Sequence, residues 1–356
     1  MLDNETLVSF QLPPSDPSFL YSEVESISAG IVTAIQSICG TILNFLVILA
    51  LIRSEEIRKE YFTPTIISIA IANFIHSIYT LPILSCYFFM SDMPITDCQF
   101  FSFIGLGIWF CSAWNLLGFS VLRCLSVYFP EKCNGNTFKN IGLIFPIISW
   151  IISFIFFTPI LLRKTGQFGL ECMSLTCRYI NIDTEGKTIK NGIDVVMITL
   201  LIIIGVVILI LNVATFTKIS KKIQKVTNEE KGADFKIASK ILQKEKKMGV
   251  MLACLSVLYF LVYCPSFVLN TIDPYARFTK TTASIICNLM NWSIGVLDPL
   301  VYVVCQKRYR KEIIILLQSI VNCGKRNSRV ESNEQIMMHR IVQKSNNMVT
   351  LETVRE

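Results

Sequence analysis

Four side chains that can carry or bind a charge, Asn44, Asn73, Arg123 and Asp298, lie within or beside stretches that are otherwise apolar. Removing such groups from water is costly, so a protein that does so uses them to bind a ligand, to move ions or protons, or to switch between states. The chain has only two His and shows neither a nucleophile–base pair nor an HExxH-type ligand set. These residues favour a membrane protein that is not an enzyme.

Seven long segments lie between consecutive charged residues, and we expect each to form a helix that positions these side chains. They run over 26–52, 61–91, 98–122, 140–162, 195–217, 248–272 and 281–306, the last interrupted only by Asp298. Only 17% of the residues are charged, against about a quarter in soluble proteins. A helix crosses the hydrocarbon core with about 20 residues, and the short alternating segments of a barrel are not seen. The predicted fold class is an all-α membrane protein, a seven-transmembrane helix bundle.

The distribution of Lys and Arg predicts the orientation of the chain. The first 25 residues carry five acids and no base, so no cleavable signal peptide is expected and the first span would serve as the insertion signal. Ten Lys lie between residues 218 and 247, after the fifth span, and Lys307, Arg308, Arg310 and Lys311 follow the seventh. The N-terminus is therefore expected outside and the C-terminus in the cytoplasm. The net charge of +7 therefore reflects the Lys and Arg of the cytoplasmic loops, and no nucleic-acid partner is expected.

The sequence predicts four regions: an extracellular segment over 1–25, the seven-span domain over 26–306, a helix over 307–322 and a polar, disordered tail over 323–356. The helix is amphipathic and would lie in the membrane interface, in contact with lipid. Its apolar face consists of Tyr309, Ile313, Leu316, Leu317 and Ile320.

Two covalent modifications are expected outside the bundle. Asn4 begins a glycosylation sequon on the outer side, whereas a second sequon at Asn291 lies within a span and is out of reach. Cys323, at the end of the amphipathic helix, suits palmitoylation, with an unmodified cysteine as the alternative.

Six of the seven spans carry characteristic residues in a fixed order. They are Gly40 and Asn44 in the first span, Asn73 and Pro82 in the second, Cys98 and Arg123 in the third, Trp150 and Pro159 in the fourth, Tyr259, Tyr263 and Pro265 in the sixth, and Asp298, Pro299 and Tyr302 in the seventh. This order resembles the rhodopsin-like (class A) family of G protein-coupled receptors over residues 26–323. Within that family the segments 166–170 and 270–274, with Cys177, are similar to invertebrate orphan receptors of the trapped-in-endoderm and moody type.

The resemblance implies a plasma-membrane receptor with a heterotrimeric G protein, an arrestin and a receptor kinase as partners. A secondary transporter is the alternative, but it would need inverted repeats or a chain of intramembrane acids, which this sequence does not show. The resemblance also implies a disulfide bond from Cys98 to the loop after the fourth span. Cys177 fits the family spacing, and Cys172 is the alternative partner.

Arg123 is, by the same resemblance, the residue that contacts the G protein when the sixth span moves outward. The acid that normally precedes this arginine is replaced by Leu122, which leaves Glu245 as the acid expected to restrain it at rest. Tyr302 belongs to the same coupling region in the family. The alternative is an arginine that reaches the membrane interface without a further role.

Helix hinges are expected at Pro265 and Pro299, because proline removes a helical hydrogen bond. Tyr259 and Tyr263 stand where the family has its aromatic residues next to the sixth-span hinge. A purely structural kink is the alternative for Pro265. The fifth span lacks the family's proline, and Asn212 occupies the place of its tyrosine.

The acid and the amide of the family's polar centre are exchanged in this chain, with Asn73 in the second span and Asp298 in the seventh. Asn44 and Ser112 are expected to face the same hydrated cavity. A protonated Asp298 hydrogen-bonded to Asn73 is the alternative. Many relatives hold a sodium ion here, but the moved acid counts against one, and no cofactor is expected.

The ligand pocket is expected in the outer half of the bundle, by analogy with the family. Gly105 stands where amine receptors keep an aspartate, which argues strongly against an amine ligand. The remaining expected pocket residues are neutral or aromatic and suit an apolar, lipid-like or short peptide ligand; they are Trp109, Ser266, Phe267, Asn270, Asn288 and Trp292.

Overall fold

The computed structural model describes residues 22–90, 95–130, 136–162, 167–171, 176–180, 192–229, 233–272 and 281–319. The chain consists of two compact units, Met1–Tyr309 and Arg310–Glu356. Asn4, Cys172 and Cys323 lie outside the described residues, as do the side chains of Cys98 and Cys177.

Long helices form the first six spans. The first span is α1 (Glu23–Arg53), and a short α2 (Glu55–Arg58) follows it. The second span consists of α3 (Thr63–Ile75), a π-helical turn (His76–Thr80) and α4 (Leu81–Met90). The third to sixth spans are α5 (Ile95–Tyr128), α6 (Asn136–Leu161), α7 (Gly192–Glu229) and α8 (Ala233–Ile272).

Two helices that meet at a bend form the seventh span. These are α9 (Thr281–Trp292) and α10 (Ile294–Cys305), whose axes differ by 42°. A last helix, α11, covers 307–319. Six helices of the described residues are long and apolar enough to cross a membrane, and the bent pair supplies the seventh span. The predicted fold class of a seven-span helix bundle is confirmed.

A β-hairpin is the exception to the all-helical prediction. Strand β1 (Gln167–Glu171) pairs antiparallel with β2 (Thr176–Ile180), and Leu170 lies opposite Cys177 in the register. Both strands contact α5, the helix that also packs against α3, α6 and α7. The third span is thus a central helix, and the hairpin is attached to it.

The π-helical turn in the second span follows from Pro82. Proline lacks a backbone N–H and its ring displaces the carbonyl of the preceding turn, so the helix must widen near it. The Leu81 N–H donates to the His76 carbonyl oxygen, one residue farther back than in an α-helix. The turn places Ser77 against the first span, where Ser37 Oγ donates to the Ser77 carbonyl oxygen over 2.8 Å.

Candidate functional site

The Arg123 side chain lies buried at the end of the third span, where it contacts the sixth. Its Nη1 forms an ion pair with the Glu245 carboxylate, and its Nη2 donates to the Glu245 carbonyl oxygen over 2.7 Å. The Arg123 side chain is 2% exposed and that of Glu245 is 33% exposed. The structure therefore brings together the two residues that the sequence singled out, and a displacement of the sixth span would leave a buried guanidinium unpaired.

Tyr61 is a residue of this site that the sequence did not reveal. It lies between α2 and α3, and its ring packs edge-on against Phe138 of the fourth span, with 5.3 Å between the ring centroids. Burial raises the pKa of the Tyr61 hydroxyl, while the positive charge of Arg123 opposes that shift. Leu122, in the position of the missing acid, is buried and offers no polar atom. The guanidinium thus pairs with a carboxylate of the sixth span, and the Tyr61 hydroxyl group lies within the influence of its charge.

Tyr302 is fully buried near the end of the seventh span. Its ring meets that of Tyr309 edge-on, with 6.5 Å between the ring centroids. Within the described residues its hydroxyl group has no hydrogen-bond partner. Because an unpaired buried hydroxyl is costly, a rearrangement that gives Tyr302 a partner would be favoured.

The polar centre joins the second and seventh spans through one direct hydrogen bond. Asn73 Nδ2 donates to Asp298 Oδ2 over 2.9 Å, and both residues are buried. Ser77 Oγ donates to the Asn73 carbonyl oxygen over 2.8 Å. From the first span, Asn44 Nδ2 donates to the Gly295 carbonyl oxygen over 2.7 Å. The exchanged amide and acid therefore face each other, as their positions in the sequence suggested.

Ser112 is half-buried on the third span and, within the described part of the chain, hydrogen-bonds to neither Asn73 nor Asp298. A fully buried neighbour, Asn115, donates through Nδ2 to the Cys111 carbonyl oxygen over 2.8 Å instead. Hard cations are held by a shell of oxygen ligands, whereas Asn73 turns an N–H toward the carboxylate. This donor set does not fit a sodium ion.

An aromatic stack connects the third and sixth spans. The ring centroids of Tyr259 and Tyr263 are 4.4 Å apart, and Tyr263 meets Trp109 edge-on at 5.2 Å. Pro265 follows them inside α8, which continues as a helix beyond it. The stack gives a side chain on the third span direct contact with the residues next to the predicted sixth-span hinge.

The seventh span breaks at Ser293, between α9 and α10, and Pro299 lies within α10. On the fifth span, Asn212 Nδ2 donates to Ser256 Oγ of the sixth span over 2.6 Å. Both residues are buried. Asn212, which stands in the place of the family's tyrosine, thus bonds the fifth span to the sixth.

Unpaired amide atoms mark the expected ligand pocket. Asn291 Nδ2 donates to Ser266 Oγ over 2.7 Å, which leaves Asn291 Oδ1 without a partner in the described residues. Asn288 is buried, and its Nδ2 is likewise unpaired. One free donor and one free acceptor thus lie on the same face of the seventh span. The sequence indicated Asn288 and Ser266 as pocket residues, whereas Asn291 had stood out only as an unreachable sequon.

Two other expected pocket residues, Gly105 and Trp292, differ in how closely they are packed. A Cβ added at Gly105 would meet only the Thr80 side chain, at 3.6 Å, so no bulky group fills that position. Trp292 packs against Phe88, with 6.2 Å between ring centroids, in a cluster of apolar side chains. The side chains of Phe267 and Asn270 lie outside the described residues.

Comparison with known proteins relates this geometry to a family. Residues 43–302, more than half of the chain, match the family described as 7 transmembrane receptor (rhodopsin family). The crystal structure of squid rhodopsin is similar with a TM-score of 0.72 at 17% identity, over 85% of this chain and 88% of that one. At that identity the likeness shows the fold alone.

Two relatives share most of their length with this chain. Protein trapped in endoderm-1 of Drosophila melanogaster is 22% identical over 317 residues, which cover 84% of this chain and 79% of the relative. Neuropeptide receptor 22 of Caenorhabditis elegans is 21% identical over 306 residues, which cover 82% and 69%. The predicted likeness to the trapped-in-endoderm type is confirmed.

Proposed function

Because the chain belongs to the rhodopsin family of seven-transmembrane receptors, which are G protein-coupled, we propose that it passes an extracellular signal to a heterotrimeric G protein by outward movement of its sixth span. In this proposal the N-terminus is outside and the Arg123 end of the bundle faces the cytoplasm of a cell bounded by the plasma membrane. The single observation that supports it most is the pairing of buried Arg123 with Glu245.

Release of Arg123 requires the sixth span to move. Glu245 holds the guanidinium with both its carboxylate and its backbone carbonyl oxygen, so rotation of one side chain cannot free it. Moving the cytoplasmic end of α8 outward would break both contacts at once. The uncovered guanidinium would then bind carbonyl or carboxylate groups of the G protein, which guanidinium donors suit.

The ligand in this proposal is uncharged where it meets the seventh span. The unpaired Asn288 Nδ2 would donate to a ligand carbonyl group, and Asn291 Oδ1 would accept from a ligand N–H. Leaving either atom unpaired in a dry pocket is costly, so a ligand that satisfies both is favoured. A short peptide or an amide-bearing lipid carries both groups, and the relative named as a neuropeptide receptor is compatible with the first.

Further partners follow from the same proposal. An arrestin and a receptor kinase would act on the cytoplasmic side after activation. The helix that continues after the seventh span would contact membrane lipid, with Cys323 as its palmitoylation site. On the outer side, Asn4 would carry the glycan.

Guanine nucleotide exchange tests the proposed function. Membranes that contain the receptor should accelerate exchange on at least one purified G protein of a panel, and GTPγS should lower the receptor's affinity for that G protein. A transporter would do neither. Membranes with the Arg123→Ala variant at equal receptor density are the control, and equal exchange rates with both preparations would contradict the proposal.

The disulfide prediction is tested at the cell surface. Cys98→Ala and Cys177→Ala should lower surface expression to the same extent, because either change removes a bond worth about 2–5 kcal/mol in a small disulfide-bonded domain. Cys172→Ala should have the milder effect. The register places Cys177 within a strand of the hairpin that contacts α5. A severe loss with Cys172→Ala and a mild one with Cys177→Ala would reverse the assignment.

A further inference from the structure

Gln306 contacts the sixth span at the point where the seventh span ends. Its Nε2 lies 3.7 Å from the sulfur of Met248 and donates a hydrogen bond to it. Both residues are buried, with 8% of Gln306 and 4% of Met248 exposed. The end of α10 is therefore joined to α8 by a polar contact that has almost no access to water.

The backbone of Gln306 attaches this side chain to the seventh span. Gln306 has an extended conformation, with φ −116° and ψ 103°, and so ends α10. Its N–H donates to the Tyr302 carbonyl oxygen over 3.0 Å, which ties it to the last turn of that helix. Because of this bond, a movement of the end of α10 would carry Gln306 with it.

Met248 lies beside the residue that holds Arg123. Glu245 and Met248 are three residues apart on α8, so their side chains are neighbours on one face of that helix. Glu245 pairs with Arg123 of the third span, and Met248 meets Gln306 of the seventh. One short segment of the sixth span is thus held by two other spans. An outward movement of that segment would have to break both contacts.

The hydrogen bond to sulfur is weak, but removing its acceptor from a buried site is costly. A thioether sulfur is a weak acceptor, so the bond stabilises the resting position less than a bond to oxygen would. Without the sulfur, however, the Gln306 amide would keep a buried donor that has no acceptor. Water or a partner protein can satisfy the same amide once α8 has moved away. Loss of the acceptor therefore destabilises the resting state relative to the state in which α8 has moved.

We propose that Gln306 is a positioning residue that restrains the sixth span through Met248, so that the seventh span as well as the third holds α8 in the resting state. The proposal rests on the proposed receptor function. A shift of α10 that withdraws Gln306 from Met248 weakens the hold on α8 before Arg123 is released. The contact is thus a route by which a change at the seventh-span amides of the ligand pocket reaches the end of the bundle that binds the G protein.

Met248→Leu tests the sulfur alone, because leucine keeps an apolar side chain of similar volume. At equal surface density it should raise ligand-independent nucleotide exchange about threefold, since it leaves the buried Gln306 amide unpaired in the resting state only. Met251→Leu is the matched control, because Met251 is fully buried one turn farther along the same helix and is not the methionine that meets Gln306. A Met248→Leu rate equal to that of Met251→Leu would overturn the proposal.

Gln306→Ala tests the same contact from the seventh span. It should also raise basal exchange about threefold, and the double variant with Met248→Leu should stay within about twofold of either single variant, since both changes remove one contact. Val304→Ala is the control, because that side chain is 71% exposed on the last turn of α10. Full additivity, about ninefold in the double variant, would overturn the pairing of Gln306 with Met248.

A stronger acceptor at residue 248 separates a positioning role from a structural one. Glutamine offers an amide oxygen in place of sulfur, and oxygen accepts more strongly from an N–H group. In the Glu245→Ala background, whose basal exchange is raised, Met248→Gln should therefore lower exchange about threefold. Met251→Gln in that background is the control and should not lower it. An equal decrease with both substitutions, or none with Met248→Gln, would overturn the proposal.

Two further outcomes distinguish this restraint from the receptor function on which it rests. If Glu245→Ala raises exchange and Met248→Leu does not, Gln306 has no restraining role while the receptor function stands. If the parent receptor and every variant leave all G proteins of the panel unaffected, the proposed function itself fails.

Discussion

Glu245→Ala is expected to raise ligand-independent G protein activation about tenfold, whereas Arg123→Ala is expected to abolish coupling. Removing one partner of a buried ion pair costs about 3–5 kcal/mol. Because Glu245 is 33% exposed, the cost to the resting state is smaller, and a shift of about 1.4 kcal/mol already changes the population of the active state tenfold. The measurement is nucleotide exchange per receptor at the cell surface.

Glu55→Ala is the matched control for Glu245→Ala. Glu55 is an acid at the same end of the bundle, paired with Lys59 over 2.7 Å, and both side chains are more than two-thirds exposed. Exposed pairs of this kind contribute little to stability, so basal activity should not change. Surface levels of Arg123→Ala should stay near those of the parent, and an unchanged basal rate in Glu245→Ala would count against the restraint.

The seven spans could be predicted because placing a charged group in the hydrocarbon core costs several kcal/mol. The gaps between charged residues therefore mark the helices, as the first span, Glu23–Arg53, shows. The hairpin could not be predicted in the same way. Its segment mixes polar and apolar residues without a clear period, and its strands form against α5, a contact that no local pattern encodes.

The residues of the candidate site that lie within helices could be predicted, whereas the one that lies in a loop could not. Arg123 and Glu245 stand at fixed distances from recognisable motifs within two helices, and each helix presents its residue at a calculable depth. Tyr61 lies in a loop, and its position depends on how the loop packs on Phe138 and on the backbone at Gly142. The only indication in the sequence was negative, because Leu122 left the arginine without its usual acid.

Exchanging Asn73 and Asp298 is expected to restore activity that either single change removes. The two side chains share one hydrogen bond of 2.9 Å, in which the amide donates and the carboxylate accepts. Asp298→Asn leaves two amides and no acid at this contact. Asn73→Asp leaves two acids that cannot both be ionised at such a distance in a medium of low dielectric constant. Each single variant should signal at a small fraction of the parent level.

The double exchange keeps one amide and one carboxyl group facing each other, so it should recover a good part of the parent activity at matched surface levels. The neighbouring bond from Ser77 is to the Asn73 carbonyl oxygen and survives either change. The control is the double variant Asn212→Asp with Asp298→Asn, which adds an acid at another buried amide. Because Asn212 bonds to Ser256 and not to the seventh span, this variant should not recover the parent activity. Residues that share a site show such non-additive effects, whereas distant residues do not. A double exchange no better than the worse single variant would mean that Asn73 and Asp298 act independently.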